Sequence, residues 1–373
     1  MISVFSPSLS IYDIASVLNT LRKNNISGTS ETVKAFEKKL GYKFNRKHVV
    51  SVSNGSTALD LALNLLNLEE GDEVILPSFS IISCLSSILR TKAKPVFCDI
   101  DPKTWNMTLE DVENVYTSKT KAVLMVHTYG LPAEAKAIEE FCKIKDLILI
   151  EDAAEAHGQS DEGKLCGTFG NISTMSFYAN KHITTGEGGA VLVDDDLYAI
   201  NLKQMRNLDF KNEKRFVHDN LYWNYRLGGL QAALGISQLK KIEKTINYKI
   251  KQGNYYQKLL SSQSSLLELP IQKVRSSTNH YWVFGVVLKV DGIRDSVSEE
   301  MFQAGIETRP FFHPLHIQPV YLNNYQKPQI KLNNTERIAR NGLYLPMGRH
   351  VSKSMQKKIV ENLITIINKK SSI

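Results

Sequence analysis

The chain has 373 residues, 42% of them hydrophobic and 23% charged, the balance of an ordinary globular protein with room for one large domain and a smaller one. Its net charge of +8 comes from 46 Lys and Arg against 38 Asp and Glu, scattered along the chain, and the one compact basic cluster is Lys369-Lys370. With no zinc-finger spacing, no basic-aromatic interleaving and no recognition-helix signature, neither nucleic acid nor a metal is expected, whereas an anionic small molecule suits the charge.

From residue 48 to about 193, short β-branched runs alternate with amphipathic segments, the pattern of βαβ units around a mainly parallel sheet. Strands are expected at 48–53 (HVVSVS), 73–77 (EVILP), 94–100 (KPVFCDI), 122–127 (AVLMVH), 147–152 (LILIED), 173–178 (STMSFY) and 189–195 (GAVLVDD). Between them Leu59, Ala62, Leu63 and Leu66 share one helical face, and 133–144 behaves alike. After 228 a long helical stretch reads as the connector between domains, followed by the strand-like HYWVFGVVLKV and a terminal helix SKSMQKKIVENLITIINKK. This divides the chain into a large α/β domain, 1–245, with an N-terminal helical segment, and a smaller α+β domain, 246–373.

Cys84, Cys98, Cys142 and Cys166 include no Cys-x-x-Cys pair, and three sit in apolar contexts typical of buried thiols. A reduced, cytoplasmic protein is expected. The first residues lack a positive segment followed by an apolar one, and no apolar run reaches ~18 residues, so neither secretion nor membrane insertion is expected.

Three segments carry candidate chemistry. In SVSNGSTALDLAL a strand ends in Asn54-Gly55-Ser56-Thr57 and a helix begins at once, exposing unpaired N–H groups and a positive dipole end that would cradle a phosphate. An ordinary capped helix would look the same. In LILIEDAAEAHG an apolar strand delivers Glu151 and Asp152 at its carboxyl end, where open α/β sheets bind ligands. An acid there would keep a cofactor ring nitrogen protonated; metal binding, a ribose contact and helix capping are rival uses. In STMSFYANKHITTGEGGAVLV, Ser176 on a strand is followed by Lys181 and a Gly-rich turn, a setting suited to a Schiff-base lysine, although a lone lysine is more often a surface residue.

Together with PSFS (77–80), VHTYGLP (126–132), NYRLGGLQAALGISQL (224–239), TRPFFHPLH (308–316) and LPM (345–347), these segments resemble the DegT/DnrJ/EryC1/StrS sugar aminotransferases over nearly the whole chain. The run NKHITTGEGG is most similar to the perosamine-synthase-type subgroup. The resemblance implies a fold-type I pyridoxal-phosphate enzyme, its large domain a mainly parallel mixed sheet flanked by helices and its smaller C-terminal domain α+β. It implies that Gly55, Ser56 and Ser176 bind the phosphate of pyridoxal 5'-phosphate. Asp152 would face the ring nitrogen, Glu155 would lie near the ring hydroxyl, and Lys181 would bind the cofactor covalently and move the proton. Asn224 would reach the neighbouring subunit's cofactor phosphate, making a homodimer with shared sites, and Arg309 and His313 would contact substrate. One departure is Ile81, where the family commonly has an aromatic residue that stacks on the cofactor ring.

The implied reaction moves an amino group from glutamate to a keto-sugar for surface-polysaccharide biosynthesis. GDP-4-keto-6-deoxymannose is the first choice, ahead of UDP- or dTDP-linked 4-keto-6-deoxyglucose and of an 8-keto octulosonate. Relatives that dehydrate a sugar carry histidine in place of the lysine; here Lys181 is present and His182 follows it, which favours amino transfer. A non-catalytic regulator on the same fold is a further alternative.

Overall fold

The computed structural model describes residues 1–211, 213, 215–325 and 330–371. Helices α1 (Ile11–Arg22) and α2 (Glu31–Phe44) precede a seven-stranded sheet of β1 (His48–Val52), β2 (Glu73–Pro77), β3 (Lys94–Cys98), β4 (Thr120–Val126), β5 (Ile148–Asp152), β6 (Ile172–Ser176) and β7 (Gly189–Val193). These are the seven apolar runs of the sequence, their ends shifted by no more than two residues. The order across the sheet is β1-β7-β6-β5-β4-β2-β3.

All neighbours from β6 to β3 pair in parallel, and only β7 runs against both of its neighbours. The cause is the connection. A parallel return needs a crossover, usually helical, but 177–188 contains no helix, so the chain turns straight back into β7. Lys181 sits in that connection. Buried apolar side chains cover both faces of the sheet, and α3 (Gly55–Asn64), α4 (Ile82–Leu89) and α6 (Ala135–Ile144) contribute to them.

The connector expected as one long helical stretch is two helices, α8 (Gly229–Leu239) and α9 (Ile242–Leu260), separated at Lys240-Lys241, where Lys241 leaves helical geometry with ψ 3°. Ile242 and Ile246 at the start of α9 pack in the large core, and Tyr256 and Leu260 at its end pack in a second one. The 245/246 boundary therefore falls inside α9. That second core lies under a four-stranded antiparallel sheet of β8 (Leu267–Glu268), β9 (Phe284–Leu288), β10 (Arg309–Pro310) and β11 (Gly342–Leu345), backed by the terminal helix Lys353–Ser371. The start of the chain joins it too: Ile2 bridges Ile306 and packs against this core.

Candidate active site

At the carboxyl ends of the parallel strands opens a cleft of about 860 Å³. Its base begins where β1 gives way to α3. Asn54 caps that helix by accepting the Thr57 N–H at 2.9 Å, while the Thr57 hydroxyl accepts the Asn54 N–H at 3.2 Å. Gly55 then lies against β6: a Cβ there would meet the Ser176 Cβ at 2.8 Å, closer than side chains pack. Gly189 is held as tightly, since a Cβ would come within 2.3 Å of the Asn54 carbonyl. Ser56 Oγ lies 2.6 Å from Ser83 Oγ in the first turn of α4. Two helix N-termini and two hydroxyls thus converge beside Ser176, an arrangement suited to a phosphate.

Strand alternation separates the two acids at the end of β5. Glu151 turns away from the cleft and is consumed by buried partners, His127 Nε2 at 2.9 Å, the Ser173 hydroxyl at 2.7 Å and the Gly167 N–H at 2.5 Å. Asp152 lines the cleft, accepting the Ala154 N–H at 3.0 Å and facing the Cys84 thiol at 3.6 Å. Among the described residues no cation lies within ion-pair distance of it. Burial pushes its carboxyl above the usual range, against the pull of the Ala154 N–H and of the Lys181 charge. A buried carboxylate with no counterion is a ready seat for a protonated ring nitrogen.

Lys181 Nζ stands 3.4 Å from Glu155 Oε1, both side chains only 9% exposed, and 3.8 Å from the centre of the Trp282 ring. The Tyr129 N–H fixes the other oxygen of Glu155 at 2.9 Å. Burial raises the Glu155 carboxyl to about 7 even though Lys181 pulls it down. His182 points elsewhere: it is buried at 2% exposure and borders a separate cavity. The lysine, and not the histidine after it, faces the acids.

Gly55, Ser56, Asp152, Glu155, Ser176, Lys181 and Arg309 all line this cleft, as does Ile81. His313 does not; it is exposed, with Nε2 3.4 Å from the Ile317 carbonyl. Asn224 also lies outside, exposed on the segment whose neighbours Trp223 and Tyr225 border the cleft. Sequence reasoning missed Trp282, Tyr344 and Phe312, which wall the cleft from the smaller domain. Trp282 stands in a run read as strand, although β9 begins only at Phe284.

The profile of the DegT/DnrJ/EryC1/StrS aminotransferase family matches residues 9–364. The chain belongs to this family. Its relatives include the GDP-perosamine synthase of Escherichia coli O157:H7, 35% identical over 363 residues that cover 97% of each chain. The dTDP-4-dehydro-2,3,6-trideoxy-D-glucose 4-aminotransferase of Saccharopolyspora spinosa is 34% identical, over 93% of this chain and 92% of the relative. Among solved structures, the aminotransferase TlmJ from Streptoalloteichus hindustanus matches with a TM-score of 0.93 at 28% identity, over 100% of both chains. This member of the family is accordingly a pyridoxal-phosphate-dependent sugar aminotransferase of fold type I. The residues present fit the cofactor: the Gly55–Ser176 contact leaves a cradle that a side chain would crowd, Asp152 is a carboxylate with no ion-pair partner among the described residues, and Lys181 supplies an amine to the same cleft.

Proposed function

We propose that the protein aminates a nucleotide-linked 4-keto-6-deoxy sugar, with GDP-4-keto-6-deoxymannose as first choice, using glutamate as donor. The observation that carries the reading is the single cleft in which Lys181, Glu155 and Asp152 meet beside the Gly55–Ser176 cradle, in a chain 35% identical to a GDP-perosamine synthase.

Pyridoxal phosphate, when bound, supplies an aldehyde that accepts an amino group and a ring that withdraws electrons from the reacting carbon. The protein does the rest. Gly55, Ser56 and Ser176 would hold the phosphate, and Asp152, which has no ion-pair partner among the described residues, would favour a positive charge on the ring nitrogen. Lys181 would hold the cofactor, and its Nζ is the amine that would carry the proton. Glu155 beside it accepts or returns a proton near neutral pH, consistent with a carboxyl raised to about 7. The Trp282 ring covers the lysine from the smaller domain and excludes water there. Ile81 offers an aliphatic surface to the cofactor where relatives commonly offer an aromatic one.

We further propose a homodimer with shared sites, working in the cytoplasm. Asn224 lies outside its own chain's cleft, and its segment holds Phe216, Val217 and Leu221 at 78, 57 and 98% exposure, an apolar edge suited to a second copy. Among the described residues no helix is long and apolar enough to cross a membrane. The substrate is tested by supplying glutamate with GDP-4-keto-6-deoxymannose, with UDP- and dTDP-4-keto-6-deoxyglucose and with an 8-keto octulosonate. Preference for the GDP-sugar by at least ~10-fold in kcat/KM, about 1.4 kcal/mol, is expected. Preference for another member of the panel would reassign the substrate.

A further inference from the structure

Lys181 borders a second cavity. It has a volume of about 330 Å³ and lies on the far side of the 180–182 segment, with the N-terminal residues Phe5–Ser8 along one wall and α9 along another. Among the described residues no Asp or Glu lines it, yet four basic side chains do: Lys181, Lys241, Lys249 and Arg349. Two of these are spoken for, Lys181 by Glu155 and Lys241 by Asp13 at 2.5 Å. The other two have no acidic partner among the described residues. Lys249 gives one hydrogen bond, to the Trp282 carbonyl at 3.0 Å, and the Arg349 guanidinium lies 4.9 Å from the centre of the Tyr248 ring. His182, on the same wall, is buried with Nδ1 unpartnered and is held neutral chiefly by burial, with the Lys249 charge adding to it.

We infer that this cavity is a binding site for a small oxyanion, a phosphate or a dicarboxylate, held by Lys249 and Arg349 and distinct from the keto-sugar cleft. An ammonium drawn out of water without a counterion is costly, and burial already lowers the Lys249 amine to about 8. An anion repays this with charge-assisted hydrogen bonds from both cations, and the hydroxyls of Ser6 and Ser8 on the same wall add neutral donors. The volume suits a molecule the size of phosphate or succinate and falls well short of a nucleotide sugar. The site also touches the chemistry. Trp282 offers its carbonyl to Lys249 and its ring to Lys181, so an occupant reaches the catalytic lysine through one residue. None of this depends on which sugar is aminated.

The test uses the holoenzyme, so that the cofactor's own phosphate fills the cradle at Gly55. Inorganic phosphate and, in a second arm, succinate are titrated at constant ionic strength, with the thermal midpoint and calorimetric binding as readouts. At least one of them should give a saturable rise in the midpoint on the order of 2 °C. In Lys249→Met and in Arg349→Met its affinity should fall at least ~10-fold, whereas Arg90→Met, at a residue that borders the other cleft and not this cavity, should leave it unchanged. Arg349 is exposed, so that variant reports even if Lys249→Met folds poorly. The arm that responds names the source, phosphate or carboxylate. Absence of saturable binding in both arms, or binding lost in Arg90→Met and kept in the other two, would overturn the assignment.

Discussion

Lys181 and Asp152 line one cleft in different roles, and their replacements should fail differently. Lys181→Ala removes the amine that holds the cofactor and moves the proton, so turnover should drop at least ~1,000-fold with the fold intact by circular dichroism. Asp152→Asn keeps the shape but loses the charge, so kcat should fall much more than cofactor affinity, as separate titrations of rate and binding would reveal. Glu155 adds a signature in pH. Its carboxyl, raised from 4.5 to about 7, binds more protons folded than unfolded, so its ionisation opposes folding increasingly as pH rises through that window and by a constant amount above it. In the cofactor-free protein, Glu155→Gln should therefore gain stability relative to wild type between pH 4.5 and 7, by up to about 3 kcal/mol in denaturant melts; a difference independent of pH would remove the buried acid from its role. Lys181 and Asp152 are singled out through the family resemblance, because a strand-end acid or a lone lysine taken by itself has equally bland readings. That only Asp152 of the two adjacent acids faces the cleft follows from the period of two along β5 once the strand is known. Trp282 was not legible: Tyr281 before it adopts a positive φ of 48°, a turn that nothing in the residue type announces, and this swings the indole onto Lys181.

Elements were easiest to read where one physical signal dominates. The seven strands of the large sheet are buried on both faces and so appear as short apolar runs. The two-residue strands β8 and β10 leave no periodicity to detect, and the break between α8 and α9 falls in a Lys-Lys pair that helices otherwise tolerate. The junction of β1 and α3 is where element geometry meets function. Gly55→Ala would place a methyl 2.8 Å from the Ser176 Cβ and 3.2 Å from its hydroxyl, forcing strand and helix apart at the phosphate cradle. A cost of about 1–3 kcal/mol is expected, most of it appearing as a weaker cofactor dissociation constant in a titration of the cofactor-free protein. Unchanged cofactor affinity would mean that the cradle lies elsewhere.

For the whole molecule, the cleft lies between two cores joined by α9, with Trp282, Phe312 and Tyr344 coming from the smaller domain to close over a lysine held by the larger one. The proposed second copy can be tested by mixing inactive Lys181→Ala chains with inactive Asn224→Asp chains, whose carboxylate would repel the cofactor phosphate. A shared site predicts that some activity returns on subunit exchange, because one site of a mixed dimer carries neither lesion. No recovery despite proven exchange would place both residues in the same chain's site. Amino transfer to a sugar is the claim on which the rest stands, and its most direct measurement is isotopic. Purified enzyme with pyridoxal phosphate, GDP-4-keto-6-deoxymannose and glutamate labelled with heavy nitrogen should yield a nucleotide sugar carrying that nitrogen, together with an equal amount of 2-oxoglutarate. A sugar product without the label, or a dehydrated sugar formed without 2-oxoglutarate, would contradict it.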